Sequence, residues 1–184
     1  MRTKITELPL KGLKLVEIDY FKDKRGFFIE PWNKKDFKKA GLDIEFVQEG
    51  HSGSGKNVLR GLHSQDAVCP MGKLVRCTAG RIMDVAVDIR HKSKTFGKWY
   101  ALELTAENKR QIYLPPGFAH GFCGLTDYSE IQYKQTGYYA SDHEFRIAWD
   151  DPDIGIAWPI EKPVLSEKDK HGMSLAEYMA DPVF

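Results

Sequence analysis

Short apolar segments separated by polar turns recur along most of this chain. In the segment 81–90, apolar residues occupy every second position from Met83 to Ile89, and Asp84 and Asp88 are among the residues between them. A period of two is typical of a β-strand with one buried face. Regularly spaced short strands of this kind predict a β-sandwich or a β-barrel.

Further strands are predicted where β-branched, aromatic or apolar residues cluster between turn signals. They cover 13–21, 27–32, 45–48, 58–63, 73–78, 98–104, 110–114, 121–125 and 130–135. A charged turn ending in Gly26 separates the first two, and Ala79-Gly80 makes the turn into the 81–90 strand. Helices are predicted only at 34–40, closed by Gly41, and at 174–180, with Ser166 as a candidate N-cap upstream. The chain is therefore mainly β with short flanking helices.

Length and composition fit one globular domain spanning residues 1–184. Hydrophobic residues make up 42% and charged residues 29%, and the net charge of +1 argues against bulk electrostatic binding of nucleic acid. No window holds the roughly 20 apolar residues of a membrane span, and the N-terminus lacks a signal-peptide pattern. The three cysteines form no C-x-x-C pair, which argues against a disulfide framework. We expect a cytoplasmic protein without nucleic-acid or membrane partners.

Polar side chains suited to proton transfer are concentrated beside the predicted strands in the middle of the chain. Arg60 and His63 flank Gly61, which would allow a β-bulge and let both side chains face one cavity. Lys73 begins the next strand, and His120 follows a rigid Pro-Pro-Gly turn. A proton-transfer enzyme needs a base, a cation for developing negative charge and a cation for a charged handle on the substrate.

Each candidate also has a purely structural interpretation. His63 could be a hydrogen-bonded structural histidine, and His120 could cap a strand. Tyr133 shares a strand face with Ile131 and could be a core tyrosine. Asp169 alone is an exposed acid near a helix start. It matters for chemistry only if the fold brings it to His63, where it would orient the imidazole ring.

Metal binding is the rival use of two histidines. Cupin-type metal sites usually combine a local H-x-H and a carboxylate with a distant P-x-G-x-x-H. The segment 115–120 has the second half, but the residue two places after His63 is Gln65, so one expected ligand is missing. The combination resembles a cupin barrel that has lost its metal, and we expect neither a metal nor another cofactor.

Segments along nearly the whole chain resemble the 4-keto-6-deoxyhexose epimerases typified by dTDP-4-dehydrorhamnose 3,5-epimerase. From Leu10 to Lys170 they are 23–30, 46–48, 58–63, 72–76, 84–90, 106–111, 115–122, 149–156 and 165–169. The resemblance implies a cupin-like jelly-roll β-barrel that acts as a homodimer with exchanged N-terminal strands. It also implies a nucleotide-diphosphate 4-keto-6-deoxy sugar as substrate, inverted at C3, C5 or both, in deoxysugar biosynthesis for surface polysaccharide.

The same resemblance implies roles for individual residues. His63 takes the position of the base and Asp169 that of its dyad partner, Tyr133 is the acid on the opposite sugar face, and Lys73 supports the enolate. The remaining family positions are expected to bind the sugar, the nucleotide or the phosphates: Arg60, His120, Arg25, Glu30, Gln48, Tyr139, Glu144 and Lys168. Arg25 and Glu30 would come from the strand exchanged across the dimer.

Two positions depart from the family pattern. Gly50 stands where Asn is common, and Ser64 follows His63 where an aromatic residue is common. A C3-only epimerase acting on another nucleotide, such as CDP or GDP, is therefore an alternative. Two further alternatives are a metal-dependent cupin enzyme and a non-catalytic sugar-nucleotide binder. The binder is disfavoured because it needs no acid opposite a base.

Overall fold

The computed structural model describes residues 2–184, and within that range β-strands dominate. The strands are β1 (Thr3–Glu7), β2 (Lys14–Ile18), β3 (Phe21–Asp23), β4 (Gly26–Phe28), β5 (Gln48–Gly55), β6 (Leu59–Gln65), β7 (Lys73–Ala79), β8 (Arg81–Asp88), β9 (Trp99–Thr105), β10 (Gln111–Leu114), β11 (Phe118–Gly124), β12 (Tyr128–Gln135) and β13 (Glu144–Arg146). The helices are α1 (Lys34–Lys39) and α2 (Leu175–Ala180), with 3₁₀ turns at Ser141–His143 and Asp169–His171. The prediction of a mainly β chain with short flanking helices is confirmed.

Two antiparallel sheets form the body of the molecule. The first has the strand order β1-β2-β10-β7-β12-β5, and the second has the order β13-β6-β11-β8-β9. Strands β3 and β4 form a separate hairpin. Neighbouring strands are mostly not consecutive in sequence because the chain crosses between the sheets, as in a jelly roll. The predicted cupin-like jelly-roll fold is confirmed.

The main hydrophobic core lies between the two sheets. Val75, Ile112 and Ile131 contribute to it from the first sheet. Leu104 and Phe122 contribute from the second. Burying an apolar side chain of this size stabilises the fold by roughly 1.5–3 kcal/mol. The sheets are therefore held face to face, and side chains beyond the edge of this core can line a cavity.

Strand β8 is buried on both faces, so the prediction of one buried face is wrong. Val85 and Val87 belong to a second apolar cluster that also contains Leu175 of α2. Asp84 and Ala86, at the alternate positions, are also 0% exposed. The C-terminal segment covers the outer face of the second sheet, so the alternation in β8 separates two buried environments rather than core from solvent.

Two predicted strands are misplaced. The predicted strand 27–32 is too long, since β4 ends at Phe28. Pro31 cannot donate a hydrogen bond to a neighbouring strand, which disfavours a strand that continues to residue 32. The predicted strand 45–48 only reaches the start of β5, whose sequence QEGHSGSG is polar and rich in glycine. Such residues have weak strand propensity, yet β5 pairs with β12 along its whole length. Two further strands were not predicted: β1, which pairs with its neighbour β2, and the three-residue β13, which forms through long-range pairing with β6.

The two predicted helices, and the end of the first before Gly41, agree closely with the structure. The Asn33 side chain caps α1, and Gly41 follows its end with a φ of +95°. Ser174 caps α2. The Ser166 hydroxyl accepts a hydrogen bond from the Asp169 backbone N–H at 3.1 Å, so it caps the turn that carries this acid. In the described part of the chain, no helix is long and apolar enough to cross a membrane.

Candidate active site

A β-bulge in β6 directs two candidate residues into one cavity. His63 pairs with His120 of β11, and Arg60 pairs with Phe122, so β6 has one more residue than β11 between these pairs. Gly61 lies inside the bulge with a φ of +138°. A Cβ at this position would lie 2.5 Å from a Cα atom of β11, so only glycine fits. The predicted bulge is confirmed, and Arg60 and His63 both line the cavity.

The cavity has a volume of about 220 Å³ and opens between the two sheets. Its polar lining includes most of the predicted site residues: Arg60, His63, Lys73, His120, Tyr133, Tyr139 and Glu144. Its apolar lining includes Leu114, Pro115, Phe118 and Phe122. Apolar walls with a few convergent polar groups are typical of small-molecule sites.

The structure brings Asp169 to His63, although 106 positions separate them in the chain. Nε2 of His63 lies 2.5 Å from Oδ1 of Asp169, and Ser166 Oγ donates to Oδ2 at 2.8 Å. Burial opposes ionisation of Asp169, but the hydrogen bonds from His63 and Ser166 prevail and lower its pKa. Because a carboxylate only accepts hydrogen bonds, Nε2 carries the proton, and Nδ1 is the nitrogen available as a base.

Two cations reach the cavity from different strands. Lys73 is the first residue of β7. Burial lowers the pKa of Lys73 and prevails over the negative charges of Glu144 and Asp84, which raise it. Arg60 is held across the gap between the sheets, since Nε donates to Ser54 Oγ at 3.1 Å and Nη2 donates to the Gly53 carbonyl at 3.0 Å. Fixed cations in a partly closed cavity favour an anionic ligand or a developing oxyanion.

His120 is paired with an acid that sequence reasoning missed. Its Nε2 lies 2.9 Å from Oδ2 of Asp84, which is 0% exposed. The other oxygen of Asp84 has no hydrogen-bond partner within residues 2–184. The position of Asp84 between apolar residues of β8 was the available signal, but the alternating pattern predicted that this face of the strand was exposed.

Tyr133 and His63 stand on opposite walls of the cavity. Tyr133 belongs to β12 of the first sheet and packs against the core between the sheets. His63 belongs to β6 of the second sheet. Gly50 of β5 lies directly opposite Tyr133, and a Cβ there would lie 2.4 Å from the Tyr133 Cζ atom. The tyrosine ring therefore occupies the space that a side chain at position 50 would need.

Three predicted residues meet at the mouth of the cavity. The Tyr139 hydroxyl donates to Glu144 at 3.3 Å, and the Tyr139 backbone N–H donates to Gln48 Oε1 at 2.8 Å. The negative charge of Glu144 raises the pKa of Tyr139. Arg146 also donates to Glu144, and its Nε lies 3.9 Å from Oδ1 of Asp169. Sequence reasoning missed Arg146 because β13 is too short to give a periodic pattern.

The three other predicted residues do not reach this cavity. Arg25 lies on the exposed β3–β4 hairpin, where it pairs with Asp23. Glu30 accepts a hydrogen bond from Asn33 Nδ2 at 3.1 Å. Lys168 is exposed and immediately precedes the 169–171 turn. If these residues bind substrate, Arg25 and Glu30 must do so in another copy of the chain.

The histidines are held as separate acid–histidine pairs. His63 and His120 face each other across β6 and β11, but each is bonded to its own aspartate. Among the described residues, no group of three or more His, Cys, Asp or Glu side chains is arranged to hold a metal ion. That the chain works without a metal stays a prediction.

Known proteins resemble this chain over nearly its full length. The model of the family described as dTDP-4-dehydrorhamnose 3,5-epimerase matches residues 7–177. The enzyme of that name from Shigella flexneri is 50% identical over 173 residues, which are 94% of each chain. The crystal structure of dTDP-4-dehydrorhamnose 3,5-epimerase from Elizabethkingia anophelis superposes with a TM-score of 0.90 at 41% identity, covering 100% of both chains.

A ligand-bound structure is similarly close. The dTDP-6-deoxy-D-glucose-3,5-epimerase from Legionella pneumophila, in complex with dTDP-4-keto-L-rhamnose, has a TM-score of 0.90 and 43% identity. The similarity covers 95% of this chain and 94% of that one. The match therefore includes the strands that line the cavity as well as the surrounding barrel.

Proposed function

Because this chain belongs to the dTDP-4-dehydrorhamnose 3,5-epimerase family, we propose that it inverts both C3 and C5 of a dTDP-linked 4-keto-6-deoxyhexose. It is an isomerase that acts on a nucleotide-linked sugar. The observation that carries the detailed proposal is the placement of the His63–Asp169 pair on one cavity wall and Tyr133 on the other. Inversion at carbon needs a base and an acid on opposite faces of the sugar, and this arrangement supplies both.

The proposed reaction proceeds through an enolate. His63 Nδ1 removes the proton from a carbon next to the ketone; the electron pair of that C–H bond forms the carbon–carbon double bond of the enolate, and the π pair of the carbonyl moves onto its oxygen. Lys73 stabilises the resulting oxyanion; losing one such donor typically costs about 2.7–4 kcal/mol. Tyr133 then donates its phenolic proton to the opposite face of the same carbon, and proton exchange with solvent returns both side chains to their starting states. Asp169 holds the imidazole in the required tautomer.

The cavity holds only the sugar part of the proposed substrate. At about 220 Å³ it is smaller than typical pockets for drug-sized ligands, which occupy roughly 300–1,000 Å³. We propose that Arg60 and His120 contact the sugar and its phosphates, and that the nucleotide extends over the mouth toward Gln48, Tyr139 and Glu144. The dTDP carrier is supported by the ligand of the Legionella enzyme. The relatives reported above give no support to the CDP or GDP alternative.

We propose that the protein is a homodimer in which the N-terminal hairpins are exchanged. The β3–β4 hairpin exposes Phe21, Phe27 and Phe28 to 68%, 58% and 64%. Clustered exposed aromatic rings are typical of protein interfaces. Arg25 and Glu30 do not reach the cavity of their own chain, so their expected roles require a partner. Lys168 is assigned to the nucleotide only through the family resemblance.

A complementation experiment tests the exchange. Arg25→Ala and His63→Asn are purified separately, and then unfolded together and refolded as a mixture. A mixed dimer with exchanged hairpins contains one site in which Arg25 and His63 are both intact, so activity should return. If the mixture is no more active than the separate variants although mixed dimers form, both residues act within one chain.

NMR in D2O tests the reaction itself. Equal amounts of protein are incubated with the dTDP-, CDP- and GDP-linked forms of a 4-keto-6-deoxyhexose, with His63→Asn as control. We expect deuterium at C3 and C5 of the dTDP-linked sugar, together with inverted configuration at both carbons. Exchange at C3 alone would favour the monoepimerase alternative. Absence of exchange with every sugar would contradict the proposal.

We also propose a cellular context for the whole chain. Residues 1–184 act as one domain in the cytoplasm, and the product serves deoxysugar synthesis for surface polysaccharide. Family membership and the hydrophobic core shared by the two sheets support this proposal. Sugar analysis of the surface polysaccharide after deletion of the gene would test it, since a loss of the deoxysugar is expected.

A further inference from the structure

The β3–β4 hairpin is expected to bring Arg25 to the site of the partner chain, and we propose that Lys109 is the positioning residue that aims this hairpin. The inference rests on the proposed function, because it assumes the exchanged dimer and the nucleotide-binding role of Arg25. Lys109 belongs to the segment 106–111, which resembles the family but has no part in the site described above. It does not line the cavity, so it can act only through the hairpin.

The hairpin itself has few means of keeping one orientation. Strands β3 and β4 pair only with each other among the described strands, and Phe21, Phe27 and Phe28 are mostly exposed. The chain is fixed just beyond the hairpin, where the buried Gln111 side chain donates a hydrogen bond to the Pro31 carbonyl at 2.8 Å. A further contact on the hairpin is needed to fix the direction in which it projects.

Lys109 makes such a contact. Its Nζ atom lies 3.5 Å from the centroid of the Phe27 ring and 5.4 Å from the centroid of the Tyr20 ring. The two rings meet edge to face, with centroids 6.2 Å apart and planes at 81°. A cation within about 6 Å of a ring centroid is attracted to the ring face. The ammonium therefore holds β4 and the residue that precedes β3 at the same time.

The Lys109 side chain is itself anchored to the body of the molecule. Its ammonium donates to the Ala106 carbonyl at 2.7 Å, in the turn between β9 and β10. The Lys109 backbone has a φ of +52°, a conformation that few residues with a side chain adopt. Burial lowers the pKa of Lys109 and prevails over the negative charge of Glu107, which raises it. Partial removal of water strengthens the attraction between a cation and a ring.

A fixed Phe27 also fixes Arg25. The two residues are two positions apart, so at roughly 3.3 Å per residue their Cα atoms lie within about 7 Å of each other. Asp23 pairs with Gly26 at the end of the hairpin and accepts a hydrogen bond from Arg25 Nε at 3.0 Å. A rotated hairpin would carry the guanidinium away from an anionic nucleotide. Proton transfer depends on groups inside the cavity, so we expect weaker substrate binding with an unchanged rate at saturation.

Lys109→Met and Lys109→Arg test the contact. Methionine keeps an apolar stem and removes the charge, whereas arginine keeps a cation that can lie over a ring. For Lys109→Met, the KM for the dTDP-linked sugar should rise about 3- to 10-fold, as expected for loss of a partly exposed contact between a cation and a ring, while kcat stays unchanged. Lys109→Arg should restore much of the loss. An unchanged KM in Lys109→Met, or a fall in kcat alone, would overturn the inference.

Lys98→Met is the control for the loss of a lysine charge. Lys98 is exposed and lies just before β9, whereas Lys109 follows the other end of that strand. Its KM and kcat should equal those of the wild type. If Lys98→Met raised KM as much as Lys109→Met, the effect would come from net charge, and the role of Lys109 would be refuted.

Mixed dimers show which chain Lys109 serves. Each combines a His63→Asn chain with a chain whose His63 is intact, isolated through two different affinity tags, so only the second chain has a working base. With exchanged hairpins, the working site receives its hairpin from the His63→Asn chain. Lys109→Met should therefore raise KM when it is placed in the His63→Asn chain, and leave KM unchanged when it is placed in the other chain.

The outcomes separate this inference from the proposed function. The reverse pattern in the mixed dimers would refute the exchange, and with it the delivery of Arg25 to a partner. Equal KM in both mixed dimers, in a protein whose Arg25→Ala and His63→Asn mixture regains activity, would overturn the role of Lys109 alone. Inactivity of the wild type with the dTDP-linked sugar would contradict the proposed function. Hydrogen exchange of the 21–28 backbone, measured by mass spectrometry, needs no substrate: it should be faster in Lys109→Met, and an unchanged rate would overturn the contact.

Discussion

Gly61→Ala should weaken the fold and misplace the base at the same time. Gly61 has a φ of +138°, a conformation that costs a residue with a side chain on the order of 1–3 kcal/mol. The new methyl group would also lie 2.5 Å from the Cα of Gly121 and 3.0 Å from the carbonyl oxygen of His120. Overpacking of this kind costs about 1–3 kcal/mol. The combined loss of about 2–6 kcal/mol is a large part of a typical stability of about 5–15 kcal/mol.

A second glycine separates the cost of the positive φ from the cost of the steric clash. Gly41 also has a positive φ, +95°, but no atom lies within 4 Å of its Cβ position, and it is far from the cavity. Gly41→Ala should therefore lower the free energy of unfolding only by the cost of the positive φ. Urea unfolding of both variants and the wild type gives the free energies of unfolding by linear extrapolation. The excess loss in Gly61→Ala, about 1–3 kcal/mol, measures the clash between β6 and β11.

The functional part of this prediction is measured on folded protein. Pushing β6 away from β11 moves His63 relative to His120, which lies opposite it on β11, and a displacement of about 1 Å can lower the rate about 10²-fold. Deuterium exchange at the carbon next to the ketone should fall accordingly in Gly61→Ala and stay normal in Gly41→Ala. Equal stability losses in the two variants, with normal exchange in both, would refute the conclusion that this close approach shapes the site.

The remaining predictions concern the proposed chemistry. His63→Asn should lower deuterium exchange by about 10²–10⁴-fold while dTDP binding measured by calorimetry persists; near wild-type exchange would exclude His63 as the base. Tyr133→Phe should keep exchange but lose product by about 10²–10⁴-fold, and equal product yield would leave water or another side chain as the donor. Activity should survive excess EDTA, and a loss reversed by one specific metal would contradict the metal-free interpretation. The lowered pKa of Asp169 stabilises the fold above the ordinary aspartate pKa near 3.9, and this contribution disappears as pH falls through the lower native value. The stability difference between wild type and Asp169→Asn should therefore shrink from pH 7 to pH 3 in urea unfolding, and a difference independent of pH would contradict the ion pairing.

The sequence by itself determined the features that depend on neighbouring residues. The period of two in β8, the turn at Gly80 and the positions of α1 and α2 are local properties, because each depends on residues only a few positions apart in the chain. The bulge at Gly61 belongs to the same class, because an odd spacing between two polar residues with a glycine between them favours it. The family resemblance implied that Arg60, Lys73, His120 and Tyr133 belong to one site, and all four line the same cavity.

Tertiary structure alone decided which distant groups meet and which faces are covered. Asp169 reaches His63 only because the C-terminal segment crosses the second sheet, and the same segment buries the outer face of β8. Strand β5 forms through pairing with β12 in spite of its weak propensity. That pairing sets Gly50 opposite Tyr133. Burial and pairing depend on residues far away in the chain, so a local pattern can identify a strand without revealing its partner or what covers it.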